Sequence, residues 1–406
     1  MIHTLKRFQT ILYPFFDFMF MGINYLIYIL TSRYLSLAQY GQLNAMFSFL
    51  AILIVFGMSL QILIAKWVSE EEDIKSILQR TSSLWAQLII FISIVMLVLH
   101  PILINILRSS YLQIIILTVI IMGHISLSFM RGIFQGRKQF FHMSITFGIE
   151  VCLKFVIILL ILRIWPHVWT VMICVAAGMW VALAYSMRVL YVELYQTDLK
   201  ENQKPTKYWR DYSKVFFAQF FIFYFTSIDV IVTNFYLPAE SGVYAVVSRY
   251  GQVMLYVQLS VITVLFPYLN KIKKDKKVFV KATICAGLFF LLFSTIMCAG
   301  YFGFVKQTVT PIFGSRYSES AAYLGWIAIA YSFLTLSFYL IHILIILNRT
   351  KYIFILFLMS VSLCTGYVLF HSSIISIITI QICIYAMMLI LLLSRLILIF
   401  KSGGNK

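Results

Sequence analysis

The sequence is poor in charged residues, which make up 11% of its 406 positions. Soluble proteins carry about 25% charged residues, and a chain with so few cannot cover several soluble domains with a hydrated surface. Hydrophobic residues reach 62%, and the mean hydropathy is +0.94. These values exclude a water-soluble enzyme, a nucleic-acid-binding protein and a secreted disulfide-rich scaffold.

Cysteine is scarce and follows no pattern that binds a metal or builds a disulfide framework. The six cysteines all fall in apolar runs, at Cys152, Cys174, Cys285, Cys298, Cys364 and Cys383. Without CxxC or Cys/His metal-ligand spacing, they are expected to be small buried hydrophobic residues. The chain also contains no phosphate-binding P-loop. We therefore expect neither a metal nor any other cofactor.

Apolar stretches long enough to cross a membrane, roughly 20 residues each, account for most of the chain. They fall near 11–30, 42–65, 84–104, 111–130, 143–162, 168–187, 215–234, 242–270, 278–303, 322–347, 352–371 and 374–398. The most polar stretch, at 193–214, indicates a cytoplasmic linker between one lobe at 1–192 and another at 215–406. The sequence thus predicts an all-α polytopic membrane protein with about twelve transmembrane helices in two six-helix lobes.

Acidic residues number only 14 against 32 lysines and arginines, which gives a formal net charge of +18. In a membrane protein such an excess first indicates the orientation of the spans, because cytoplasmic loops are enriched in Lys and Arg. If the N-terminus is inside, the outer loops hold few basic residues, namely Arg33, Arg108, Arg163, Lys306 and Arg316. Nearly all the others, Arg131 among them, fall in inner segments. This bias predicts that both termini are cytoplasmic. The first apolar run contains Asp17 and Asn24 and shows no small-residue cleavage site, so it is expected to be a retained span.

The two predicted lobes resemble each other weakly in sequence. Residues 34–41 (YLSLAQYG) precede the second span, and residues 236–242 (YLPAESG) precede the eighth, half a chain later. Because each lobe has an even number of spans, the repeat is parallel, with a pseudo-two-fold axis along the membrane normal. Such a repeat is expected to place a binding site between the lobes, near the middle of the membrane.

Ionisable side chains interrupt several of the apolar spans, at Asp17, Glu150, Lys154, Asp229 and Arg249. Each costs roughly 2.5–3.5 kcal/mol at the bilayer centre, so each needs a partner, a wet cavity or a function. Since no nucleotide motif is present to drive transport, the acids Asp17, Glu150 and Asp229 are candidates for coupling to an ion gradient. A structural interpretation stays open for Glu150 and Lys154, whose i, i+4 spacing allows them to neutralise each other.

Uncharged polar residues form stripes on the first two helices of each lobe. The residues of interest are Asn24, Asn44, Gln219, Gln252 and Tyr256. Side chains three or four positions apart lie on one face of a helix. These stripes are therefore expected to line a shared aqueous cavity and to bind substrate there with their amide and hydroxyl groups.

Four short motifs at matching topological positions resemble a known family. They are Arg33–Gly41 before span two, Phe134–Lys138 before span five, Leu237–Ala245 before span eight and Asn348–Tyr352 before span eleven. Together, over nearly the whole chain, they are similar to the polysaccharide-transport branch of the multidrug/oligosaccharidyl-lipid/polysaccharide (MOP) exporter superfamily, the Wzx-type flippases. The resemblance implies a MATE-like MOP flippase fold in a bacterial cytoplasmic membrane.

The resemblance also implies a transporter rather than an enzyme. The chain would flip an undecaprenyl-diphosphate-linked oligosaccharide from the cytoplasmic to the outer leaflet, by alternating access of its lobes, for surface polysaccharide synthesis. Arg249 and Lys154 fit the cationic cavity that is typical of the family. Expected partners are this glycolipid, membrane lipid and the glycan polymerase with its assembly machinery, but no nucleic acid, and the chain is expected to function as a monomer.

Two alternatives remain open. A cation-coupled small-molecule antiporter of the same superfamily would share the fold, and it would favour a cavity with an essential acid and no central arginine. A membrane glycan polymerase or ligase would be an enzyme, and such enzymes usually hold their substrate with a large outer loop. The longest outer loop expected here, 304–321, is short and carries no cluster of acids or histidines.

Overall fold

The structure, a computed structural model, describes residues 19–70, 74–195, 208–347 and 349–402. These residues are helical almost throughout and contain no strand. The helices are α1 (19–34), α2 (Leu37–Glu70), α3 (Ile74–Leu107), α4 (Tyr111–Gly136), α5 (Phe140–Ile161), α6 (Val168–Tyr195), α7 (Tyr208–Phe225), α8 (Ile228–Tyr236), α9 (Ser241–Ile272), α10 (Lys276–Gly303), α11 (Val309–Phe313), α12 (Leu324–Ile346), α13 (Tyr352–Leu369) and α14 (Ile374–Ser402).

Ten of the described helices are long and apolar enough to cross a membrane, and α7 with α8 makes an eleventh span. Each coincides with a predicted apolar stretch, and α1 is the described part of the first one. The prediction of an all-α multi-pass membrane protein is thereby confirmed. The seventh span is not continuous, however, because α7 and α8 meet at a bend of 44°.

The chain divides into two compact units, Met1–Phe223 and Tyr224–Lys406. In the N-terminal unit α4 is the central helix and packs against α2, α3, α5 and α6, while α5 also packs on α6. In the C-terminal unit α12 has the corresponding position and packs against α9, α10 and α14, while α13 packs on α14. The same pattern of neighbours in both units is what the parallel repeat predicts.

Helix α4 approaches α2 closely because two glycines face the contact. A Cβ at Gly132 would lie 2.8 Å from the carbonyl oxygen of Gln61, and one at Gly136 would lie 2.5 Å from Cβ of Val68. Small residues four positions apart let helix backbones come together in a membrane, where van der Waals packing drives association. The C-terminal half of α4 is therefore surrounded by protein, and this is where the chain places Arg131 at 2% exposure.

Candidate functional site

The N-terminal unit contains a cavity of about 280 Å³ among α1, α2, α4, α5 and α6. Its polar lining consists of Asn24, Tyr28, His124, Arg131, Glu150 and Lys154. The rest of the lining is apolar, and Phe47 and Phe147 contribute aromatic rings. Two predicted substrate-binding residues, Asn24 and Lys154, and one predicted ion-coupling residue, Glu150, thus face the same space.

Arg131, Glu150 and Lys154 form a cluster of buried charges, which we call the charge triad. Arg131 Nη2 lies 2.8 Å from Glu150 Oε2, and Lys154 Nζ lies 3.6 Å from Glu150 Oε1. Each carboxylate oxygen therefore faces one cation. The three side chains are 3%, 13% and 10% exposed, respectively. With all three groups ionised, the triad keeps one net positive charge beside the cavity.

Arg131 has further contacts that hold its guanidinium in place. Its Nε donates a hydrogen bond of 3.0 Å to Thr146 Oγ1, and its guanidinium carbon lies 3.7 Å from the centre of the Phe147 ring. A cation over an aromatic face is stabilised by about 0.5–2 kcal/mol, with the larger value where water is excluded. Helix α5 thus holds the guanidinium through a hydroxyl and a ring as well as through Glu150.

Lys154 lies where α5 packs tightly against α6. A Cβ at Gly178 of α6 would lie 2.6 Å from the carbonyl oxygen of Glu150 and 3.2 Å from Cβ of Lys154. The absence of a side chain at Gly178 therefore permits this approach of the two helices. Protein covers the stem of the lysine as a result, and its ammonium group meets the Glu150 carboxylate.

The C-terminal unit also buries an acid, Asp229, at the start of α8. Its Oδ2 accepts hydrogen bonds from the Tyr244 hydroxyl at 2.8 Å, from Gln381 Nε2 at 3.1 Å and from the Ser248 hydroxyl at 3.3 Å. Its Oδ1 makes no hydrogen bond within the described part of the chain. Neutral donors therefore stabilise Asp229, whereas two cations stabilise Glu150.

The bend between α7 and α8 leaves backbone carbonyls that side chains satisfy. Gln252 Nε2 donates to the Thr226 carbonyl at 2.9 Å, and the Tyr385 hydroxyl donates to the Phe225 carbonyl at 2.7 Å. Arg249 Nη1 in turn donates to Gln252 Oε1 at 2.6 Å. Two predicted substrate-binding residues, Arg249 and Gln252, thus lie together at the helix break, where Gln252 bridges the guanidinium and the backbone.

The other predicted site residues are not part of the cavity lining in the N-terminal unit. Asn44 is fully buried, and its Nδ2 donates to the Tyr40 carbonyl one turn earlier at 2.8 Å. Gln219 is half-buried on α7, and Tyr256 is 55% exposed on α9. Asp17 lies outside the described residues.

Arg131 and Gln381 are site residues that the sequence analysis missed. The basic-residue pattern places Arg131 in an inner loop, which is wrong, because α4 continues to Gly136 and buries it. The available signal was the pair of glycines at 132 and 136, which marks a close helix contact around Arg131. For Gln381 the signal was an amide in the middle of an otherwise apolar span.

The sequence matches the model of a family described as polysaccharide biosynthesis protein over residues 10–273. The matched range includes the whole charge triad and continues through α9, which carries Arg249 and Gln252. A comparison with curated proteins finds no match.

Solved structures of membrane transporters share the fold over almost the whole chain. An inward-facing multidrug resistance MATE family transporter of the MOP superfamily has a TM-score of 0.73 and 13% identity, covering 94% of this chain and 95% of that chain. Lipid II flippase MurJ, in an inward closed conformation, has a TM-score of 0.76 and 15% identity, covering 95% and 87%. The MATE transporter ClbM in complex with Rb⁺ has a TM-score of 0.57 and 13% identity, covering 99% and 98%. At such identities the likeness shows the fold, and together with the family match it establishes that the chain belongs to the polysaccharide biosynthesis protein family and has the fold of the MOP superfamily transporters.

Proposed function

We propose that this protein flips a polyprenyl-diphosphate-linked oligosaccharide from the cytoplasmic to the outer leaflet of a bacterial cytoplasmic membrane. The observation that carries the proposal is the charge triad, in which two buried cations and one acid line a membrane-embedded cavity. A diphosphate diester loses its hydration on leaving water, and guanidinium and ammonium groups are the donors that best replace it. Excess positive charge inside a membrane protein is costly unless it serves such a ligand.

The remaining lining suits the sugar next to the diphosphate. The amide of Asn24 and the hydroxyl of Tyr28 offer hydrogen bonds, and the rings of Phe47 and Phe147 offer flat apolar surface. About 280 Å³ is at the lower end of ligand pockets. We assign the cavity to the diphosphate and the adjoining sugar, while the prenyl chain stays in lipid.

In the C-terminal unit Arg249 is the candidate for a second contact with the diphosphate, because it is a buried cation of α9 that Gln252 links to the helix break at the Thr226 carbonyl. Gln252 holds it there. Asn44, Gln219 and Tyr256 remain candidates for sugar contacts. We further propose that the chain acts as a monomer and supplies the glycan polymerase with substrate, both of its termini being cytoplasmic.

Coupling to an ion gradient is assigned to the acids, and Asp229 is the strongest candidate among the described residues. Its Oδ1 is buried and makes no hydrogen bond within the described part of the chain, so the carboxylate can accept a proton or a small cation. The MATE transporter ClbM in complex with Rb⁺ shares the fold, which supports a cation role. Collapse of the proton and sodium gradients together should stop net flipping; unchanged flipping would favour passage down the glycolipid gradient.

The proposed function is tested in proteoliposomes with a fluorescent short-chain polyprenyl-diphospho-oligosaccharide. The wild-type protein should carry the probe between leaflets, and Arg131→Met or Lys154→Met should reduce the rate at least tenfold. Lys306→Met, which removes an exposed cation outside the spans, is the matched control and should flip normally.

The second arm uses the same prenyl glycoside without its diphosphate. Equal flipping of that lipid would overturn the proposal, because transport would then not depend on the anion. Transport of small organic cations by a protein that ignores the glycolipid would instead establish the antiporter, which the buried acid Asp229 would suit.

A further inference from the structure

We propose that Glu150 is a tethered anion: its carboxylate occupies the diphosphate position of the charge triad when substrate is absent, and substrate displaces it. This inference rests on the proposed function and assigns a regulatory part of it to one residue. The two oxygens of Glu150 bridge Arg131 Nη2 and Lys154 Nζ, at 2.8 and 3.6 Å. Two oxygens of a diphosphate bridge a guanidinium and an ammonium in the same manner.

The Arg131 guanidinium stays in place when the Glu150 carboxylate leaves. Thr146 and Phe147 continue to hold the Arg131 guanidinium through its Nε and its face. Displacement of Glu150 therefore vacates the Nη2 position without requiring Arg131 to move. The substrate anion can therefore take the place of the Glu150 carboxylate without a rearrangement of the whole site.

The charges support an exchange. With Glu150 engaged, the triad has one net positive charge, and with Glu150 displaced, Arg131 and Lys154 present two positive charges to the two negative charges of a diphosphate diester. Glu150 is the one acid in the described lining of the cavity. The other titratable groups there are His124, whose Nε2 lies 3.2 Å from Ser128 Oγ, and Tyr28, so no second carboxylate among the described residues lines the cavity.

A tethered anion answers two requirements of transport. Without substrate, two unpaired cations inside a membrane protein would carry a large desolvation cost, which Glu150 reduces. With substrate, the competing carboxylate weakens binding enough for release, since a transport site must bind well enough to load but weakly enough to unload.

The test compares wild type and Glu150→Gln in detergent, with farnesyl-diphospho-N-acetylglucosamine as the probe. Removal of the competitor should tighten binding about tenfold, which corresponds to about 1.4 kcal/mol. The same variant should flip the probe more slowly in vesicles, because release becomes limiting. Glu319→Gln, which removes an exposed acid of the other unit, is the control and should leave affinity for the probe unchanged.

The outcomes separate this inference from the function on which it rests. Probe binding that is absent in wild type, or unaffected by Arg131→Met and Lys154→Met, would overturn the proposed function. Binding that depends on both cations but is equal or weaker in Glu150→Gln would overturn the tethered anion and leave Glu150 as a structural ion pair. If Glu150→Gln does not fold, Glu150→Asp provides the test, because the shorter side chain loosens both ion pairs. The tethered anion then requires that the Glu150→Asp protein bind the probe more tightly than wild type.

Discussion

Buried charges are stabilised differently in the two units. The N-terminal unit places one acid between two cations, and the C-terminal unit surrounds its acid with the neutral donors Tyr244, Gln381 and Ser248. A buried ion pair loses several kcal/mol when one partner is removed, because the other charge stays behind uncompensated. Because neutral side chains donate the hydrogen bonds to Asp229, its carboxylate can gain or lose a proton without leaving a buried cation uncompensated. This difference is the residue-level basis for proposing the charge triad as an anion site and Asp229 as the ion-coupling residue.

Arg249 allows a test at the level of one functional group. Replacement by lysine keeps the positive charge but removes the planar fork that binds a phosphate through two nitrogens. We expect Arg249→Lys to lower the rate of glycolipid flipping roughly tenfold, as loss of a charge-assisted hydrogen bond does. Arg249→Ala should abolish flipping at normal protein levels, as measured in proteoliposomes.

The matched control for Arg249 is Arg316→Lys, since Arg316 is exposed between α11 and α12. It should flip the glycolipid at the wild-type rate. Normal transport by Arg249→Ala would show instead that Arg249 serves the helix break, through Gln252, and does not contact substrate.

Helix α4 must approach α2 closely while carrying the buried Arg131. Gly132 makes this possible. We expect Gly132→Leu to push the two helices apart and to lower the stability by roughly 1–3 kcal/mol, the usual effect of overpacking. Thermal unfolding in detergent would measure this as a reduced midpoint temperature.

A glycine in α10 provides the comparison for Gly132. A Cβ at Gly300 would have no atom within 4 Å, so Gly300→Leu should leave the midpoint almost unchanged. Leucine has a higher helix propensity than glycine, so equal losses at both positions would point to a general cost of the added side chain and not to the α2–α4 contact.

The break between α7 and α8 depends on side chains that replace missing helix hydrogen bonds. Tyr385→Phe removes the donor to the Phe225 carbonyl and leaves that carbonyl unsatisfied in a buried position, at a cost of about 1–3 kcal/mol. We expect a lower unfolding midpoint, whereas Tyr111→Phe, at a position 61% exposed, should change nothing. A stable Tyr385→Phe protein would indicate that water or a shifted backbone satisfies the carbonyl.

For the whole molecule, the positive-inside distribution predicts a definite topology. Reporter fusions after Lys204 and Lys276 should read as cytoplasmic, and fusions near Gly242 and Ser315 should read as external. The physical reason is that lysine-rich and arginine-rich loops are retained on the cytoplasmic side. Reversed readings at two of these positions would contradict the orientation and, with it, the proposed direction of flipping.

The two units share a pattern of helix neighbours but carry different chemistry. Helices α4 and α12 are central in their units, yet only the first brings a cation to a buried acid among the described residues. A repeated scaffold can diverge in this way because apolar packing tolerates many sequences, whereas each buried charge requires its own partners.

The sequence by itself determined the class, the spans and the internal repeat of this protein. Hydrophobic length, net charge and loop composition are local or additive properties, so they can be read without knowing which helices touch. The same reasoning identified Asn24, Glu150 and Lys154 as polar residues that need a partner or a cavity, and the structure brings them to one cavity.

Only the tertiary structure decided that Arg131 completes the site. Arg131 and Glu150 lie on different helices, and whether they meet depends on the rotation of α4 and α5 about their axes and on the glycines that let α2 and α6 pack against them. The break at Thr226 and the neutral donors around Asp229 likewise depend on how the helices pack against each other. Which partner a buried charge meets depends on the distances between helices. Those distances are set by packing between segments that are far apart in the sequence.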